Sequence, residues 1–255
     1  KSETIDFSKL PYLTKDYEIQ YIPSGSILKA LQTNIHAERS EENDLIAFAD
    51  PVYATERFLK RGTTKSVLPS LPNSRVEVEK IQKLFPQNKI TVFFGKDASE
   101  TNIKRIDLTG YRRFHFAGHS VIDEERPQFS ALLLSNEAGS KEDGDLTMLE
   151  IYDLKLNADL VVLSSCNTAL GKEIRGEGMT GLSRAFLSIG AASVLVTLWD
   201  VNDRSTAEFI SDFYINMVKG SSKVTALREA RLKMIRTGIY SHPYYWAPFA
   251  LIGEL

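Results

Sequence analysis

Short runs of apolar, β-branched and aromatic residues recur at Leu45–Ala49, Ile90–Phe94, 113–117, 160–164 and 193–199, with helical patterns between them. This alternation predicts a mainly parallel sheet with helices on both faces. A further run at 245–252 predicts a last strand, and 18–22 an outlying one. Ser74-Arg75-Val76-Glu77 reads as a capping box; Val78, Ile81, Leu84 and Phe85 then fall on one helix face, and Pro86 ends the run. Two longer helical patterns cover Asp203–Val218 and 224–237. The run at 131–134 and the polar stretch to Asp145 predict a hairpin and loop inserted between sheet strands.

At 255 residues the chain has room for one large α/β domain or two small ones. No Pro/Gly-rich polar boundary divides the alternation, so residues 1–255 are expected to form one domain. The chain opens at Lys1 without an initiator Met, which leads us to expect a piece of a longer protein. A composition of 43% hydrophobic and 25% charged residues is that of a globular protein. The net charge of −2 supplies no broad basic field, so direct nucleic-acid binding is not expected. The most apolar stretch, near 191–199, falls far short of the ~20 residues that span a bilayer, and no signal segment opens the chain. A soluble, cytoplasmic protein without a membrane partner is the expectation.

In open parallel sheets, ligands collect beyond the carboxyl ends of the strands. Those ends carry Asp50, Lys96 with Asp97, Gly118-His119-Ser120, Ser165-Cys166-Asn167 and Asp200. The single cysteine excludes an internal disulfide and a multi-thiolate metal site. A free cysteine is commonly a small core hydrophobe, but Cys166 is flanked by Ser165, Asn167 and Thr168, and no apolar periodicity runs through it. At a strand end it is a candidate nucleophile. His119 lies 47 residues upstream, close to the caspase spacing of about 50. It is the natural general base, whereas His115, inside the strand, reads as structural.

Other chemistries fit less well. Gly176-Glu177-Gly178-Met179-Thr180-Gly181 matches GxGxxG, but residues 166–175 separate it from the preceding strand, so a bound phosphate would miss the strand-to-helix turn. These glycines read instead as a mobile loop beside the site. His36, His115, His119 and His242 form no HExxH, and carboxylates show no ligand spacing, so no metal is expected. No G-x-S-x-G elbow is present.

HFAGHS at His119, LVVLSSCNTALG at Cys166, GEGMTGLSRAF from Gly176, SVLVTLWDVND from Ser193 and the closing HPYYWAPFALIGE together resemble the CHAT domain. These are caspase-like cysteine peptidases commonly attached to tetratricopeptide repeats. The likeness runs from at least LPNSRVEVEKIQKLF at 71–85 to the C-terminus. It implies a caspase-hemoglobinase fold: an α/β three-layer sandwich with a mainly parallel central sheet flanked by helices. It also implies a thiol protease, an endopeptidase that cleaves a protein substrate through a His119–Cys166 dyad and a thioester. No cofactor is implied.

In caspase-like relatives the backbone N–H groups of the nucleophile and of a glycine after the histidine form the oxyanion hole. Here Cys166 and Ser120 hold those positions, and serine retains the N–H. Asp200 and Asp203, just past the strand next to the cysteine strand, are candidate substrate-binding residues for Lys or Arg, with Asp203 also a candidate helix cap. Trp199 and Leu198 offer an apolar alternative pocket. A tetratricopeptide-repeat segment or regulatory partner is the expected activator. The alternative function is a catalytically dormant interaction module on the same fold.

Overall fold

A computed structural model of the chain describes residues 5–25, 29, 42–53, 57–58, 65–66, 68–123, 125–137, 139–167 and 177–254, with backbone alone at 57–58, 65–66, 166–167 and 177–180. The strands are β1 (Leu45–Ala49), β2 (Arg57–Phe58), β3 (Lys65–Ser66), β4 (Ile90–Phe94), β5 (Arg113–Val121), β6 (Ala131–Leu133), β7 (Asp145–Thr147), β8 (Leu160–Asn167), β9 (Ser193–Thr197) and β10 (Phe249–Gly253). The α-helices are α1 (Pro72–Gln82), α2 (Glu100–Arg105), α3 (Met148–Ile151), α4 (Glu177–Ser188), α5 (Asp203–Val218), α6 (Lys223–Thr237) and α7 (Pro243–Trp246). The main sheet runs β10-β9-β8-β5-β1-β4, parallel except for the edge strand β10, and an antiparallel β6–β7 arm pairs with the end of β5. No helix among the described residues is long and apolar enough to cross a membrane.

Alternation along the central strands divides the core into two layers. Ile46, Phe48, Phe114, Phe116, Val161 and Leu163 pack under α2, α3 and α4 through Ile103, Ile151, Leu182 and Phe186. Leu45, Ala47, Ala117, Leu160 and Val162 pack under α1, α5 and α6 through Val78, Ile81, Phe209, Phe213 and Ala230. With helices burying both faces, the strands need near-continuous apolar runs, as in LIAFA of β1. The result is the three-layer α/β sandwich expected.

Several boundaries differ from the sequence reading. β5 and β8 run on to Val121 and Asn167, because β8 pairs with β5 through Ser120↔Asn167 and β6 caps the end through Ser120↔Leu132 and Val121↔Ala131. His119, Ser120 and Cys166 therefore lie within the last residues of their strands, not beyond them. The apparent capping box does not form. α1 starts at Pro72 without a side-chain cap; Ser74 Oγ donates to Leu71 O, and the Glu77 carboxylate turns into the core. Asn202, not Asp203, caps α5, accepting the N–H groups of Arg204 and Ser205. The 245–252 run splits into α7, capped by His242, and β10. The outlying strand reduces to one bridge, Tyr21↔Ile252. Gly178 and Gly181 belong to α4 and not to a loop, while 171–176 and His36 lie outside the described residues.

Candidate active site

β5 and β8 place His119 and Cys166 opposite each other as register partners. Neighbouring strands are about 4.8 Å apart, so the two backbones are adjacent. His119 is only 2% exposed. Its Nε2 lies 2.8 Å from Pro69 O, and since a carbonyl only accepts, Nε2 carries the proton. In the neutral ring Nδ1 is then the acceptor; it is buried without a hydrogen-bond partner among the described residues. Burial pushes the imidazole below its ordinary pKa, opposed by the Pro69 carbonyl and the charges of Asp200 and Asp203. Burial thus favours the neutral ring, in the tautomer with the proton on Nε2 and no partner for Nδ1 among the described residues.

Tyr53, just past β1, supports this histidine twice. Its Oη accepts the His119 backbone N–H at 2.9 Å, and its ring lies 5.1 Å from the imidazole. Gly118 makes room: a Cβ there would stand 2.7 Å from Phe116 Cζ and 3.1 Å from Tyr53 Oη. Pro69 comes from the approach to α1, whose Asn73 gives its N–H and Nδ2–H to one oxygen of Asp203 at 3.0 and 2.8 Å. Asp203 is therefore held by Asn73 at the start of α5. Asp200, in the exposed turn after β9, acts on His119 through its charge. Ser120 is buried in the extended backbone of β5, and its φ is not positive: Asp50 alone among the described non-glycine residues has positive φ.

His115 is fully buried away from this end of the sheet. Its Nε2 meets Glu77 Oε1 at 2.9 Å and its Nδ1 meets Tyr214 Oη at 3.2 Å. Glu77 Oε2 also accepts from Ser164 Oγ at 3.1 Å. Elsewhere, folding brings together carboxylates that sequence spacing does not: Glu100, Glu142 and Glu150 converge on Lys104 Nζ, at 2.7 Å for Glu100 and 3.0 Å for Glu150. The ammonium sits where a cation would, and the cluster ties α2 to α3 and to the segment before β7.

Tyr53, Pro69, Asn73 and Glu77 are absent from the sequence-based candidates. Only Glu77 carried a local signal, and that signal pointed to a cap.

The fold is similar to that of the Arg-specific cysteine proteinase gingipain R, with a TM-score of 0.53 at 8% identity over 90% of this chain and 51% of that one. It is also similar to separase in the Saccharomyces cerevisiae separase–securin complex, at 0.54 and 15% identity over 98% of this chain and 14% of that one. In sequence, the chain is 40% identical over 109 residues to tetratricopeptide repeat protein 28 of Mus musculus and of Homo sapiens. That match covers 43% of this chain and 4% of the length of those relatives. The CHAT domain family model matches residues 5–254, and the chain belongs to the CHAT domain family.

Proposed function

We propose that the chain is a cysteine endopeptidase domain using His119 and Cys166 as a dyad. The observation that carries this reading is the setting of His119: Nε2–H given to Pro69 O, Nδ1 without a hydrogen-bond partner among the described residues, and the residue opposite Cys166 in register. In the proposed reaction Nδ1 takes the thiol proton as sulfur attacks the scissile carbonyl. The tetrahedral intermediate expels the amine, which leaves with the proton from His119, and water activated by the same nitrogen hydrolyses the thioester. The backbone N–H groups of Cys166 and Ser120 stabilise the oxyanion, at about 3 kcal/mol per donor. Asp200 and Asp203 favour Lys or Arg before the scissile bond. A tetratricopeptide-repeat segment or regulatory partner raises the activity of the domain, and a single unpaired thiol suits the reducing cytoplasm.

Incubating the chain and its Cys166→Ala variant with a peptide library and identifying new termini tests this reading. Cleavage is expected from the first alone. Absence of any cleavage by folded protein, with and without a repeat-containing partner, would leave the dormant interaction module as the function.

A further inference from the structure

Glu77 is 2% exposed and lies in the apolar layer between α1 and the sheet, beside Val78, Ile81 and Val162. One carboxylate oxygen takes a hydrogen bond from His115 on β5, the other from Ser164 on β8. Burial pushes the Tyr214 phenol far above its ordinary value, so Tyr214 keeps its proton, and its Oη lies 3.2 Å from His115 Nδ1. Hydrogen bonds therefore link Tyr214, His115 and Glu77 in one row, with Ser164 joining at the second oxygen. Every polar atom of this network is engaged.

Stability alone does not account for it. Taking a carboxylate out of water costs several kcal/mol, and well-packed apolar side chains at such positions are often equally stable or more so. What the network adds is a tie between two particular strands. Ser164 is two residues before Cys166, about 7 Å along β8, and His115 is four before His119, about 13 Å along β5. Their register partners are Val162 for His115 and Ala117 for Ser164, so the tie spans three rungs of the ladder and ends two rungs short of His119↔Cys166. The helix carrying Glu77 also begins just after Pro69, which holds the imidazole.

We infer that Glu77 is a positioning residue for the dyad, a clamp from α1 that fixes β5 against β8 and so sets the approach of His119 to Cys166. This rests on the proposed peptidase chemistry. A misplacement of about 1 Å between reacting groups can cost about 100-fold in rate.

Because Cys166 is the sole cysteine, its alkylation by iodoacetamide against pH reports the thiol alone, with or without peptidase turnover. In the full chain, Ser164→Ala cuts the β8 arm and Glu77→Leu cuts both arms. Both should shift the alkylation midpoint toward that of His119→Ala. In turnover they should lower kcat by about 10-fold or more with little change in KM. Glu77→Gln, which can still bridge the two strands through its oxygen and amide, should restore most of the wild-type profile. Ile103→Val, on the other face of the sheet, supplies a loss of stability with no change in profile. If Glu77→Leu does not fold, Ser164→Ala decides. Lowered Tm with wild-type alkylation and kcat in both variants would overturn the clamp and leave the peptidase standing. A wild-type alkylation profile in His119→Ala would overturn the dyad, and the clamp with it.

Discussion

His119 and Cys166 are register partners at the end of two adjacent parallel strands, and the ring of His119 is already held in the tautomer that leaves Nδ1 basic. His119 is 2% exposed, and its Nδ1 has no hydrogen-bond partner among the described residues. Replacing His119 with Ala should therefore abolish hydrolysis while changing Tm by no more than a few degrees. Cys166→Ala should be equally inactive. Turnover by either variant, measured with a fluorogenic peptide, would break the assignment.

His115 separates from His119 by the opposite pattern. Its removal leaves Tyr214 Oη and one oxygen of Glu77 without their His115 partner in the core, and a buried polar group left unsatisfied costs about 1–3 kcal/mol. His115→Ala is expected to lose stability of that order in urea unfolding. Full stability with lost turnover would make His115 the base and reverse the two roles.

Tyr53→Phe keeps the ring against His119 and removes the acceptor of its backbone N–H. The expected cost is about 1–3 kcal/mol of stability, with a smaller loss of kcat than in His119→Ala. Gly118→Ala should be worse, because the new Cβ must displace Phe116 or Tyr53. Equal activity of wild type and Gly118→Ala would show that Tyr53 does not hold the histidine.

The parts of this molecule that could be read from the sequence are those that depend on local pattern. β1 and β4 are legible from end to end because their apolar runs stop where pairing stops. β5 and β8 read short because Gly118-His119-Ser120 and Ser165-Cys166-Asn167 look like turn chemistry. The ladder between β5 and β8 continues through them to Ser120↔Asn167, and the β6 arm pairs with Ser120 and Val121 at its end. His119 and Cys166 could be picked out by residue type and spacing. Their supports could not: Pro69 is 50 residues and Tyr53 is 66 residues from His119, and neither residue type advertises a role. Glu77 misled because Ser-x-x-Glu is a cap only where the serine precedes the helix. Here Pro72 starts the helix two residues earlier.

The Lys104 cluster makes a stability prediction whose sign follows from burial. Glu100 is pushed up to about 7 because burial disfavours its charge, against the pull of Lys104 and the Gly144 N–H. A carboxyl raised in the folded state contributes stability that is complete below about 4.5 and is lost as pH rises through about 7. His119, depressed by burial, works oppositely: its contribution is complete above about 6.5 and declines as pH falls. Glu100→Gln removes only the first. The Tm of this variant relative to wild type should therefore rise between pH 5 and pH 8, by calorimetry. A difference that is flat across that interval would show that Glu100 titrates at its ordinary value.

Specificity and pH dependence meet at Asp200. Its carboxylate stands in the exposed turn after β9 and acts on His119 by charge, which draws the imidazole pKa upward against burial. A hydrogen bond to a charged partner is worth about 1.5–3 kcal/mol, so Asp200→Asn should reduce kcat/KM for arginyl and lysyl substrates by about 10–100-fold. Leucyl substrates should be nearly unaffected. The same change removes a charge that favours imidazolium, so the imidazole pKa should fall further and the acid limb of kcat/KM should move to lower pH for every substrate. The two effects are separable in one fluorogenic panel run across pH. Preference for leucyl substrates, unchanged by Asp200→Asn, would move the pocket to Leu198 and Trp199. The displaced acid limb would still place Asp200 within reach of His119.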